Sequence, residues 1–119
     1  MSDDEMLELL ANERAVGESY VLLRELKLYL EIGHESFHPC IRVKLWKSRA
    51  LPEYPYHYTV SHYVHTPVQA GPYHPSCTEF ASEAEAIRAA ISNTIAFLQP
   101  GIREGHEPED RWLVPNDDF

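Results

Sequence analysis

Histidine and cysteine are the residues of this sequence that point most directly to chemistry. There are seven histidines and two cysteines among 119 residues, and two short clusters, at 38–40 and 74–77, combine the two types. Imidazole and thiolate are ligands that zinc prefers, and the two clusters could meet at one end of a sheet. Their spacings, His-x-Cys and His-x₂-Cys, are not those of standard zinc fingers, and both cysteines suit a small core position equally well. We therefore predict no metal or other cofactor, with four residues as the candidate ligands should one bind: His38, Cys40, His74 and Cys77.

A cysteine hydrolase is the other chemistry that these clusters suggest, because a thiolate beside an imidazole is an activated nucleophile. Neither Cys40 nor Cys77 is accompanied by a glycine-rich turn that could form an oxyanion hole. P-loop, dinucleotide-binding and nucleophile-elbow motifs are missing as well. The sequence thus predicts no catalytic residue, and a small metal-dependent or His/Cys-based enzyme is kept as the alternative function.

One basic cluster lies in the middle of the chain, where residues 37–51 contain no acid. It consists of Arg42, Lys44, Lys47 and Arg49. On a strand, Arg42 and Lys44 share a face with Trp46, and such a face could bind an anion or stack on a planar group. The solvated side of a half-buried strand would have the same pattern. The candidate binding residues here are Arg42, Lys44 and Trp46.

A second candidate binding segment is the apolar island at residues 111–115, which lies between acidic flanks. Trp112 and Leu113 could dock on a partner or fold back onto their own domain, and the sequence leaves both open. We hypothesise that this segment crosses the sheet, in its own chain or in a second copy. The acids before it would then lie near the basic cluster: Glu107, Glu109 and Asp110.

Capping boxes mark the start of two helices that flank the strands. Ser2 and Glu5 open a helix predicted over about 3–15, ended by Gly17. Ser82 and Glu85 open a second helix, predicted to end before the Pro100-Gly101 pair. Its apolar stripe is formed by Ala84, Ile87, Ala90, Ile91, Ile95 and Leu98.

Alternation of apolar and polar residues predicts three strands. Residues 24–32 alternate without a break, although 20–32 also fit a helical stripe; we favour the strand because of the alternation and the loop that Gly33 begins. Residues 41–46 and 56–66 are the other two. The order is α-β-β-β-α, so we predict an α+β fold: a three-stranded antiparallel meander with helices packed on one face. Residues 1–102 would form a single domain, and 103–119, which lack periodicity, an acidic C-terminal tail.

The net charge of −9 is concentrated at the two ends of the chain. Residues 1–18 carry −5 and residues 103–119 carry −4, so the middle is neutral. Binding to duplex nucleic acid is disfavoured, because it needs a basic surface. No apolar run is long enough to span a membrane, and the acidic N-terminus is unlike a signal peptide. We therefore expect a soluble cytoplasmic protein with reduced cysteines.

A local resemblance covers roughly residues 57–98. Tyr58-Thr59-Val60, the turn at 74–77 and the capped start at 82–86 together resemble the strand, Pro-x-Cys turn and helix of HicB-type antitoxin domains. The family's glycine before the cysteine and its aspartate before the helix cap are not present here. The resemblance implies a protein-binding domain without catalytic activity.

These observations predict a non-catalytic protein-interaction or regulatory module. It would bind a protein partner, or a second copy of itself as a homodimer, through the sheet face and the C-terminal tail.

Overall fold

Two helices and six strands follow one another in the computed structural model, which describes residues 1–119. In chain order they are α1 (Asp3–Ala11), β1 (Tyr20–Tyr29), β2 (Cys40–Ser48), β3 (Tyr56–Val60), β4 (His62–Val64), β5 (Glu79–Phe80), α2 (Glu83–Arg103) and β6 (Leu113–Pro115). A 3₁₀ turn, Asp110–Trp112, precedes β6. The α+β class is confirmed, as is the antiparallel sheet, but the chain has six strands rather than three. No helix is both long and apolar enough to cross a membrane.

The main sheet has the strand order β1-β2-β3-β5, and every neighbouring pair is antiparallel. Strands β4 and β6 form a second, two-stranded antiparallel sheet. The predicted meander is therefore present as β1-β2-β3. Two short strands were not predicted: β5 lies just before α2, in residues assigned to no element, and β6 lies in the predicted tail.

The first strand settles the ambiguity of residues 20–32 in favour of β-structure. It begins earlier than predicted, at Tyr20, and ends at Tyr29. Its register with β2 shifts between Leu22 and Arg24, which moves the alternation by one residue. Leu30, the residue after the strand, is buried.

The predicted third strand, 56–66, is two strands that belong to different sheets. The division lies at Ser61, whose hydroxyl oxygen accepts the Arg42 amide at 2.7 Å. The Ser61 amide donates to the Arg42 carbonyl at 2.9 Å. Because the side chain takes an amide that would otherwise bond a main-chain carbonyl, the β2–β3 ladder ends there. The following residues, His62–Val64, pair with β6 instead.

Helix α1 is shorter than predicted and ends at Ala11 rather than near residue 15. Its capping box is formed as expected, with the Glu5 amide donating to the Ser2 hydroxyl at 3.1 Å. Leu7 is its one buried residue, whereas Met6 and Leu9 are 38% and 45% exposed. With so little burial, no packing extends the helix beyond its cap.

Helix α2 is longer than predicted, because it continues through Pro100 to Arg103. A proline so near the end of a helix removes few main-chain hydrogen bonds. The face of α2 that lies on the sheet is also not centred on the isoleucines. The buried residues are small for the most part, while the isoleucines at 87, 91 and 95 form a half-buried flank; the buried ones are Ala86, Ala90, Thr94, Leu98 and Gly101.

The core lies between α2 and one face of the sheet, which we call the inner face. Alternate residues of β2 and β3 point into it: Ile41, Val43, Leu45, Tyr58 and Val60. The intervening residues of the same strands point to the opposite, outer face. Trp112 also belongs to this core, so the C-terminal segment is part of the packed structure.

Candidate functional site

The outer sheet face is where the predicted binding residues of β2 lie. Arg42, Lys44 and Trp46 alternate with the core residues Val43 and Leu45, so all three point away from α2. The predicted arrangement of these three side chains on one strand face is therefore present.

The rest of the basic cluster lies elsewhere. Lys47 points to the inner face, where its ammonium is 2.7 Å from a carboxylate oxygen of Asp4 in α1. This hydrogen bond raises the pKa of Lys47 and lowers the pKa of Asp4. The ion pair between Lys47 and Asp4 thus links α1 to the sheet. The two cations on the outer face of β2 are Arg42 and Lys44.

Residue Phe119 covers those two cations. The Lys44 ammonium donates to the main-chain oxygen of Phe119 at 2.5 Å and lies 4.2 Å from the centre of its ring. The Arg42 guanidinium lies 5.1 Å from the same ring and 3.4 Å from a Glu25 carboxylate oxygen. Ammonium and guanidinium groups at these distances are attracted by the face of an aromatic ring.

The segment before Phe119 is tied to the strand ends by Asn116. Its amide donates to the Ser61 carbonyl at 2.8 Å, and its side-chain amide donates to the Val60 carbonyl at 2.8 Å. The Asp118 amide in turn donates to the Asn116 side-chain oxygen at 3.0 Å. These bonds direct the chain onto the outer face.

Trp112 and Leu113, the predicted docking residues of this segment, are placed within the domain. Trp112 is only 1% exposed and meets Phe37 edge-on, with ring centres 6.2 Å apart. Leu113 is half-buried in β6, opposite Val64. Of the two possibilities that the sequence left open, the structure shows the segment folded back onto its own chain. Trp112 is therefore part of the core of its own chain.

Two of the three carboxylates predicted to approach the basic cluster make other contacts. Glu109 pairs with Arg111, and a Glu107 oxygen lies 4.0 Å from the His34 ring. The segment reaches Arg42 and Lys44 through Phe119 instead. Phe119 was not among the predicted binding residues, although an aromatic residue directly after Asp117 and Asp118 has the chemistry to bind two cations.

A cleft of about 350 Å³ lies beside Trp46 on the outer face. Its aromatic walls are Trp46, whose indole N–H donates to the Thr59 hydroxyl at 3.0 Å, and Tyr20, whose ring stands edge-on to His57. Thr78 completes the rim. The alternation of β3 placed His57 and Thr59 on one face, but nothing in the sequence indicated that Tyr20 would join them.

His57 forms the floor of this cleft and is 8% exposed. Burial lowers its pKa, and the weaker effects of the Glu79 and Glu18 carboxylates oppose that change. Its Nδ1 lies 3.7 Å from a Glu79 oxygen, while its Nε2 is buried without a hydrogen-bond partner. A neutral, enclosed imidazole of this kind is a packing element of the face.

The four candidate metal ligands do not come together. His38 and Cys40 lie at the start of β2, where the His38 ring is 3.3 Å from a Glu31 oxygen. The chain after β4 returns antiparallel to β3, so Thr78 bonds Tyr58, which stands opposite Leu45. Thr78 is therefore displaced from Cys40 by five residues along the strands, or about 16 Å, and Cys77 is the residue next to Thr78.

His74 packs on the Tyr63 ring, with ring centres 4.2 Å apart. Neither cysteine takes part in a disulfide. No three His, Cys, Asp or Glu side chains are grouped so that they could hold a metal ion. The two His/Cys clusters are thus separate local features.

Comparisons with protein-family models, curated proteins and solved structures found no match to this chain. The resemblance of residues 57–98 to HicB-type domains consequently has no support from them. The geometry of the outer face is therefore the basis for a proposal about function.

Proposed function

We propose that this chain is a non-catalytic protein-interaction module whose outer sheet face binds an extended protein segment that carries an aromatic residue next to carboxylates. The observation that supports this proposal is the occupation of the face by the chain's own residues 116–119. Their ring and main-chain oxygen lie on Arg42 and Lys44, which are the contacts that such a segment of a partner would make.

The contacts are weak enough to be exchanged. A cation–π contact at an exposed site is worth roughly 0.5–1 kcal/mol, and a hydrogen bond adds about 1 kcal/mol. Asp117 and Asp118 are exposed and form no ion pair, so releasing residues 117–119 while Asn116 stays bound breaks little more than the contacts of Phe119. A partner segment that also entered the cleft between Trp46 and Tyr20 would bury additional aromatic surface and displace it.

The alternative function, a small metal-dependent or His/Cys-based enzyme, has no observation in its favour, since no three His, Cys, Asp or Glu side chains are grouped so that they could hold a metal ion. An interaction module in the cytoplasm is also consistent with two unpaired cysteines.

The test is a titration with the amidated peptide acetyl-Asn-Asp-Asp-Phe, followed by NMR through the Trp46 indole N–H signal. A Phe119→Ala variant, whose face is vacated, should bind the peptide several-fold more tightly than the unmodified protein. Lys44→Glu in that background should abolish binding, and a peptide ending in alanine should not bind.

Arg103→Glu, which makes the same change of charge at the exposed end of α2, is the matched control and should leave binding unchanged. Equal binding by the Phe119→Ala protein with and without Lys44→Glu would show that the outer face is not the site.

A further inference from the structure

Strand β1 is an edge strand with an open side. It forms the end of the sheet order β1-β2-β3-β5. Outside the ladder with β2, no main-chain hydrogen bond involves any residue from 20 to 29. The amides and carbonyls on its outer edge are therefore free to pair with another strand.

The usual protections of an edge are largely missing from β1. Its sole irregularity lies between Leu22 and Arg24, and the ten-residue strand contains no proline. Residues 24–29 consequently present an uninterrupted, extended edge. The charged side chains of β1 disfavour pairing with some strands, and their order along β1 determines which strands they repel.

Apolar surface lies next to this edge on the inner face. Leu26 and Leu28 point to that face and are half-buried. One side of α2 faces β3 and the loop after β4, since Asn93 bonds the Tyr58 hydroxyl and Phe97 stacks on Tyr73.

The opposite side of α2 carries the isoleucine flank, which is also half-buried, and an ion pair between Arg24 and Glu83 links the start of α2 to β1. Partly exposed apolar side chains of β1 and α2 thus lie next to the edge of the sheet. The isoleucines are Ile87, Ile91 and Ile95.

The charges of β1 select a second copy of the same strand. When two identical strands pair antiparallel about a two-fold axis perpendicular to the sheet, each register centres on one residue and its own copy. Centring on Glu25 or on Lys27 places like charges opposite each other. Centring on Leu28 forms no ion pair and shortens the ladder.

Centring on Leu26 places Glu25 opposite the partner's Lys27 and Lys27 opposite the partner's Glu25. Both pairs lie on the outer face, and the two leucines meet on the inner face. Opposite charges directly across a ladder stabilise it, whereas like charges destabilise it.

We infer that β1 pairs with β1 of a second copy in this register, which joins the two sheets into one sheet of eight strands. Both α2 helices then lie on the same side, and their isoleucine flanks cover Leu26 and Leu28 of the two copies from opposite directions. This interface does not include Lys44 or Phe119, and it meets the proposed peptide-binding face only at the contact between Glu25 and Arg42.

The test measures the dimer dissociation constant by sedimentation equilibrium. Lys27→Glu places like charges in both cross-strand pairs, so it should weaken the dimer about tenfold or more. Within one chain, position 27 stands opposite Arg42, so the same change should not weaken the monomer fold in urea melts. The charge-swapped variant Glu25→Lys/Lys27→Glu should restore dimerisation, and the matched control Arg103→Glu should leave it unchanged.

Amide hydrogen exchange provides a second readout, because the outer-edge amides of residues 24–29 should be protected in the dimer and exposed in the Lys27→Glu protein. A protein that stays monomeric up to about 0.5 mM, well above the micromolar range of specific dimers, would show that the edge takes another chain or none. A dimer that Lys27→Glu leaves unchanged would also overturn the inference, as would a charge-swapped protein that keeps its stability in urea melts and does not dimerise.

Discussion

Strand β2 and the C-terminal segment each carry one of the two tryptophans, and the two side chains have opposite surroundings. Trp46 belongs to a regular strand with a clear apolar alternation, yet it is half-exposed on the outer face with its indole N–H bonded to Thr59. Trp112 belongs to a charged segment without periodicity, yet it is 1% exposed in the core. The burial of a large side chain therefore depends on which residues pack over it, and the composition of its own segment does not predict that burial.

The largest effect that would test this contrast is the loss of Trp112. Trp112→Ala should lower the free energy of unfolding by about 3–5 kcal/mol, because a fully buried indole is replaced by a cavity. Trp46→Ala should cost less than about 2 kcal/mol, since its side chain is only partly buried. Urea unfolding of both variants measures the difference, and equal losses would mean that the C-terminal segment is not packed as described.

A smaller loss of stability is expected from a change at the contact between the C-terminal segment and α2. A methyl group on Gly101 would lie 2.9 Å from a Trp112 ring carbon and 3.1 Å from the Thr66 Cβ. Gly101→Ala should therefore destabilise the protein by about 1–2 kcal/mol through overpacking, even though alanine favours the helix.

Gly71 has no neighbouring atom in the way, so Gly71→Ala is the matched control and should change stability by less than about 0.5 kcal/mol. In a Trp112→Phe background the cost of Gly101→Ala should shrink. If Gly101→Ala costs the same stability in that background, the Trp112 ring is not what opposes the added methyl group.

Asn116 tests how the segment after β6 is held to the ends of β3 and β4. Asn116→Ala leaves the Val60 carbonyl without its side-chain partner and should cost about 1 kcal/mol in thermal or urea melts. Asp117→Ala, a change at the next, exposed residue, should cost less than about 0.5 kcal/mol. Similar values for the two variants would indicate that the segment is held by packing alone.

The smallest expected effect is a dependence of stability on pH at the meeting point of β2 and the C-terminal segment. Burial, and secondarily Arg42, lower the pKa of His62, whose strand pairs with β6. Burial also lowers the pKa of His57. The unfolded chain then binds more protons than the folded one below about pH 6.5.

The contribution of these histidines is therefore complete above that pH and decreases as the pH falls. Urea melts between about pH 7.5 and pH 5.5 should show decreasing stability, with a shallower slope in His62→Gln and the shallowest in the His57→Gln/His62→Gln variant. Stability that rises on acidification over this range would contradict the assignment.

Several elements follow from short stretches of sequence. Ser82 and Glu85 predicted the start of α2 because a helix N-terminus satisfies its amides with nearby side chains. Alternation predicted β2 and the outward direction of Arg42, Lys44 and Trp46, because the side-chain period of a strand is two. The continuation of α2 through Pro100 was missed, since the packing of Gly101 against Trp112 involves a residue eleven positions further on.

Local patterns were enough to predict the class of the fold, the types of its main elements and the faces of the central strands, because these depend on hydrogen bonds and periodicities within a few residues. Long-range contacts bury Trp112 in the core, divide a strand at Ser61 and bring Phe119 onto Lys44. The same folding of the chain separates the His38/Cys40 cluster from the His74/Cys77 cluster. Each of these outcomes depends on contacts between residues that are distant in the chain, and no local sequence pattern predicts the energies of such contacts.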